Sequence, residues 1–177
     1  MKRWCIGLLA ALLLCGLAAC GGKDADNTAS GGTAADTKLG LGCVATRMME
    51  ADDTTRVKIT AAAVALDKDG KIQNCRVEET AYTVSADGKP LDAAALVAKG
   101  EQGDAYTLTE EDTGKDATLK TSWEQQAHAF ATFVRGKTAG EVSGIAATDG
   151  KSAAIEGCDL VITDFIEAVR KAADGAK

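Results

Sequence analysis

An apolar run occupies residues 6–17, and residues 21–38 then hold no large apolar side chain. From Leu39 onward the apolar positions recur with two different periods. Over residues 56–66 a period of two places Val57, Ile59, Ala61, Ala63 and Ala65 on one face, the signature of a strand. Asp67-Lys68-Asp69-Gly70 follows as a turn signal, with Gly70 suited to positive φ. Residues 71–83 run back with Cys75 and Val77 on a shared face, so a β-hairpin is predicted. Residues 39–48 supply a third strand, and Asp87-Gly88-Lys89-Pro90 closes the section with another turn. A short helix is predicted over 93–98, and the polar stretch 100–120 reads as an irregular excursion.

Beyond residue 120 the period lengthens. Trp123, Ala127, Phe130 and Val134 fall at i, i+4, i+7 and i+11, one helical stripe. Thr121-x-x-Glu124 and Ser122-x-x-Gln125 both fit a capping box ahead of it, and Gly136 fits its C-terminal end. Thr138-x-x-Glu141 offers a further cap before a short, Gly-interrupted segment, and Asp149-Gly150 is a third turn. Thr163 is expected to cap a last helix carrying Phe165, Ile166 and Val169 at helical spacing. Strands first and helices later predict an α+β fold, an antiparallel hairpin or meander with helices packed on one face.

Charge narrows the function. The 177 residues carry 20 Lys and Arg against 26 Asp and Glu, a net charge of −6 and an acidic isoelectric point near 4.9. Nucleic acid is therefore not an expected partner, because phosphate binding needs clustered cations. At the N-terminus, Lys2 and Arg3 precede the apolar run, which is short for a membrane span and placed where a signal-peptide core belongs. The run ends in Leu17-Ala18-Ala19-Cys20, which resembles the lipobox of bacterial lipoproteins. The resemblance implies a leader over residues 1–19 and Cys20 as first mature residue bearing lipid. Residues 20–38, with no large apolar side chain from 21 onward to offset ordering entropy, read as a flexible tether to a single domain over 39–177. An ordinary secretory leader cut at an A-x-A-like site is the alternative reading. Several acyl chains would hold the protein on the outer side of the cell membrane far better than one. Loss of Lys2 and Arg3 takes the net charge from −6 to −8.

With Cys5 and Cys15 lost and Cys20 lipidated, Cys43, Cys75 and Cys158 remain. An odd number cannot all pair within one chain, and their spacings match no zinc pattern. Asp67-x-Asp69-Gly70 is not a calcium loop, since the EF-hand register would put Ala65 and Arg76 at ligand positions. His128 is the single histidine and forms an i, i+4 pair with Glu124, expected to be an exposed helix pair. Trp123 reads first as core; its indole is also a candidate to stack on a planar ligand. With no nucleophile–base pair or metal set in the pattern, the chain is not expected to be an enzyme.

Two segments resemble the FMN-binding domain family. The hairpin over residues 57–77 is similar to that family's opening strand, Asp-Gly-Lys turn and returning strand. Glu156-Gly157-Cys158-Asp159, followed by Leu160-Val161-Ile162-Thr163 and the helix from Asp164, is similar to the family's Ser-Gly-Ala-Thr segment and its closing helix. Gly157 matches, but Glu156 replaces Ser and Asp159 replaces the flavin-bearing Thr. Covalent attachment needs a hydroxyl to receive the FMN phosphate, and a carboxylate repels it. Residues 39–173 also resemble clostridial-type surface lipoproteins. Gly40-Leu41-Gly42, the Asp67–Ile72 turn, Trp123-Glu124-Gln125-Gln126, Gly136-Lys137-Thr138 and Thr163-Asp164-Phe165-Ile166 carry that likeness. Together these resemblances imply a binding or redox-accessory module. It would hold FMN non-covalently or take another small planar ligand, with Gly157, Asp159 and Trp123 as candidate contacts and a membrane redox partner in reach. The alternative they leave is a cofactor-free surface interaction protein.

Overall fold

The computed structural model describes residues 36–50, 52–91, 97–114 and 121–177. The proposed leader, Cys20 and nearly all of the tether lie outside the described residues, as does most of the helix expected over 93–98. Three antiparallel strands form one sheet in the order β1 (Lys38–Met49), β2 (Thr55–Leu66), β3 (Ile72–Val84). The helical elements are α1 (Lys99–Gln102), α2 (Glu110–Thr113), α3 (Trp123–Phe133), α4 (Ala139–Ser143) and α5 (Thr163–Asp174). Helix α5 packs on β1 and β2, and α3 packs beside β3, which is the expected α+β meander with helices on one face.

Pairing runs Lys38↔Leu66 to Met49↔Thr55 between β1 and β2, and Thr55↔Val84 to Leu66↔Ile72 between β2 and β3. The turn between β2 and β3 forms as the sequence predicts. Gly70 takes φ +76°, and the Asp67 carboxylate accepts the Asp69 and Lys71 backbone amides. Val57, Ile59, Ala61, Ala63 and Ala65 do share a face, but it is the face turned away from the helices. Thr60, Ala62, Val64 and Leu66 are the buried set. Residues 61–66 are apolar almost throughout, so alternation alone does not say which side is inner. The bulkier Val64 and Leu66 fill the space under α5.

Gly40 and Gly42 let α5 approach β1. A Cβ on Gly42 would lie 2.0 Å from the Ala168 carbonyl oxygen, and one on Gly40 1.8 Å from that of Ala172. The core closes around Phe165, whose ring meets Trp123 and Phe130 edge-on at centroid distances of 5.9 and 5.4 Å. Ser122 and Gln125 form the capping box of α3, and Thr138 and Glu141 that of α4. Thr163 is the first helical residue of α5 rather than its cap; Ile162 holds the cap position without a side-chain hydrogen bond.

Within the stretch read as irregular, α1 and α2 are two single helical turns. A buried charge cluster fastens them to the sheet. Lys99 Nζ contacts both Glu79 Oε1 and Asp112 Oδ1. Glu79 Oε2 also accepts from Thr60 at 2.9 Å, and Asp112 Oδ2 accepts from the Tyr106 hydroxyl and from the Thr109 amide and hydroxyl, each at 2.8 Å. Lys58 bridges the cluster to α5 through Asp164 at 3.1 Å. Burial alone would lower the Lys99 ammonium, but the two carboxylates hold it above its ordinary value. Burial would raise Asp112, and Lys99 with the Thr109 donors holds it below the ordinary carboxylate range. Burial likewise pushes the Tyr106 hydroxyl up to about 12.

Candidate functional site

A cleft of about 340 Å³ opens between β3 and α3. Its size is at the small end of ligand pockets. One wall is the run Cys75-Arg76-Val77-Glu78, and the other is the α3 face of Trp123, Glu124, Ala127, His128 and Ala131. The side chains divide by strand alternation. Cys75 and Val77 turn toward the helices and are buried, making an apolar floor with Ala127 and Ala131. Arg76 and Glu78 turn to the opposite sheet face, where the Arg76 guanidinium donates to Glu78 Oε1. Glu78 Oε2 is buried and accepts no hydrogen bond from a described residue.

The wall formed by β3 is also a strand edge. On β1 the outer-edge groups belong to odd-numbered residues, because Leu39 exchanges backbone hydrogen bonds with Lys177. The registers then turn the even residues of β3 toward β2 and its odd residues outward. Two contacts agree with this assignment: Thr83 O accepts from the Leu91 amide outside the sheet, and the Cys75 amide donates to its neighbour's side chain, Asn74 Oδ1. The N–H and C=O of Val77 and the C=O of Cys75 therefore face the cleft.

Burial pushes the Cys75 thiol up to about 12, so it is protonated at neutral pH and poorly nucleophilic. Cys158 is likewise raised to about 11 by burial. Cys43 is exposed, and all three thiols are free. Glu124 and His128 are exposed, as an i, i+4 surface pair should be, and both stand on the cleft rim.

Trp123, Gly157 and Asp159 are not brought together on one surface. Trp123 is 2% exposed and edge-on to Phe165, so it bounds the cleft without offering a free ring face. Gly157 takes φ +76° in an exposed turn beside Ala129. The Asp159 amide donates to Gln126 Oε1 at 2.9 Å, while its carboxylate is exposed. Gln126 and Ala129 lie across α3 from Glu124, His128 and Ala131 by helical geometry. Asp159 carries a carboxylate and no hydroxyl, so it offers no oxygen to which a phosphate could be esterified.

Compared with protein-family models, curated proteins and solved structures, the chain matches none. Sequence reasoning missed Arg76, Glu78 and the Lys99 cluster. Glu79 carried a usable signal, since alternation from Cys75 and Val77 puts its carboxylate on the buried face, where it needs a cation. Nothing in the sequence pointed to Lys99 as that cation.

Proposed function

We propose that this protein is a lipid-anchored binding module working outside the cytoplasm, with Cys20 as its attachment point and the β3/α3 cleft as its recognition site. The observation that carries the recognition part is the cleft itself, an apolar floor with a charged rim and an open strand edge. A protonated Cys75 and a buried Trp123 favour binding over chemistry performed by the protein's own groups. The lipobox carries the anchoring part. In native mass spectrometry of the protein released from its membrane, a non-covalent adduct is expected that Ala131→Trp, which fills the cleft, removes. An adduct that survives Ala131→Trp in a folded protein contradicts the site. Cys20→Ser is expected to move the protein into soluble fractions; continued membrane association contradicts the anchor.

A second reading, a cofactor-free surface interaction protein, has its own support. Four of the six exposed large hydrophobic side chains among the described residues, Leu39, Leu41, Met48 and Met49, lie on the edge strand β1. Exposed apolar edge strands are surfaces on which other chains pair.

A further inference from the structure

Resting on the lipid anchor at Cys20, we infer that the open face of the sheet docks flat on the bilayer that holds the anchor. Helices α3 and α5 pack on the inner face of the sheet. The 97–100 segment meets the outer face at Glu78 and Thr80, on its β3 side. Its β1 side is open. Every outward residue of β1 is exposed, with Leu39, Leu41 and Met49 at 67%, 76% and 73%. The register sets Ala65, Ala63 and Ala61 of β2 beside Leu39, Leu41 and Cys43, so the apolar surface continues across two strands. At the outward positions of the three strands the charged residues are Arg47, Arg76 and Glu78.

Size, charge and chain length select a bilayer over other occupants. Laid flat, the face measures about 14 Å by about 40 Å, roughly 560 Å², against the ~800 Å² per partner of a stable protein interface. Its middle is Ala45, Ala61 and Ala63, and its one aromatic, Tyr82, is half-buried, so no side chain protrudes to anchor a protein. Strand pairing by a second copy at β1 meets occupied groups: Leu39 exchanges hydrogen bonds with Lys177, and Lys171 Nζ donates to the Cys43 carbonyl at 3.2 Å. The chain itself cannot supply the cover, because Leu96 and Leu119 are the only large apolar residues of the mature chain outside the described ones. The mature chain carries −8, so anionic headgroups repel most of its surface, whereas this face sets two guanidiniums against one carboxylate. The 18 residues from Cys20 to Lys38 span at most about 60–65 Å and join the domain at β1, beside Leu39 and Leu41. The anchor supplies proximity, and the face then needs only a weak interfacial contact.

The test follows labelling of Cys43, the exposed thiol on this face, by a charged maleimide. The lipoprotein is inserted into preformed vesicles of phosphatidylethanolamine and phosphatidylglycerol and compared with soluble Cys20→Ser. Cys43 is expected to react at least about tenfold more slowly on vesicles, the factor for about nine-tenths of the domains docked. Thr132→Cys in a Cys43→Ser chain puts the thiol on exposed α3 surface, behind the sheet, and is expected to react equally in both forms. Leu39→Asp together with Leu41→Asp is expected to restore fast Cys43 labelling while the protein still floats with the vesicles. Equal labelling of Cys43 in vesicles and solution, with flotation retained, overturns the docking and keeps the anchor. Slow labelling that survives the two aspartates also overturns docking through this face. Slow labelling of soluble Cys20→Ser that sediments as a dimer overturns the bilayer in favour of a second copy. Failure of the unsubstituted chain to float overturns the anchor reading, and this inference with it.

Discussion

Lys99 is the side chain whose removal the structure predicts to be most costly for its size. It is 2% exposed, and its ammonium lies between two carboxylates whose side chains are 5% and 0% exposed. Lys99→Met keeps the stem's packing and deletes the charge, leaving Glu79 and Asp112 buried without their shared cation. Breaking a buried ion pair by removing one partner costs about 3–5 kcal/mol. The remaining partners decide where in that range the loss falls. Asp112 keeps three donors at 2.8 Å, but among the described residues Glu79 keeps only the Thr60 hydroxyl and a distant Lys58 at 4.0 Å. The upper half, about 4–5 kcal/mol, is therefore expected, a large share of the roughly 5–15 kcal/mol typical of a domain. Urea unfolding followed by circular dichroism measures it. Adding Glu79→Gln and Asp112→Asn to Lys99→Met should recover part of the loss, because no unpaired charge then stays buried. A loss below about 1 kcal/mol for Lys99→Met would refute the claim that this cluster fastens α1 and α2 to the sheet.

The same cluster contributes to the pH dependence. Asp112 is depressed in the folded state, so its contribution is full above the ordinary value of 3.8 and is lost as pH falls through the lower folded value. Lys99 is raised, so its contribution is full below 10.5 and fades as pH climbs beyond it. A stability plateau with an acid arm that is blunted in Asp112→Asn is the expected profile; an unchanged acid arm would speak against the assignment. Gly42→Ala should cost about 1–3 kcal/mol or more by pushing β1 from α5, while Gly136→Ala, which meets no neighbour, should cost only its backbone strain. Thermal melts compare the two. Thiol labelling of the native protein with peptide mapping should modify Cys43 fast, and Cys75 and Cys158 only on unfolding; fast labelling of Cys75 would contradict its place in the cleft floor.

Local signals were legible in this chain wherever one interaction decides the outcome. The turn after Leu66, the Ser122 and Thr138 capping boxes and the Trp123-to-Val134 stripe all form where the sequence puts them. The inner face of β2 was not legible, because an alanine-rich run has too little contrast between its two sides. The single turns α1 and α2 were missed for a different reason. Neither has an apolar stripe, and both are held by Lys99 and Asp112, residues whose charges read as solvated until the fold supplies partners 13 and 20 positions away in sequence. The cleft was half legible. The α3 residues Trp123, Glu124 and His128 stand out in the sequence, but Arg76 and Glu78 carry no signal there beyond their place on a returning strand. What makes them a wall is the free edge of β3, which depends on strand order.

We propose a lipid-held module that keeps no covalent flavin, and the intact mass of the protein taken from its own membrane decides between this and the alternatives. A chain running from Cys20 to Lys177, carrying a diacylglyceryl group on sulfur and no FMN adduct, is the predicted result. An unmodified chain retaining residues 1–19, or one bearing FMN through a phosphate bond, would contradict it.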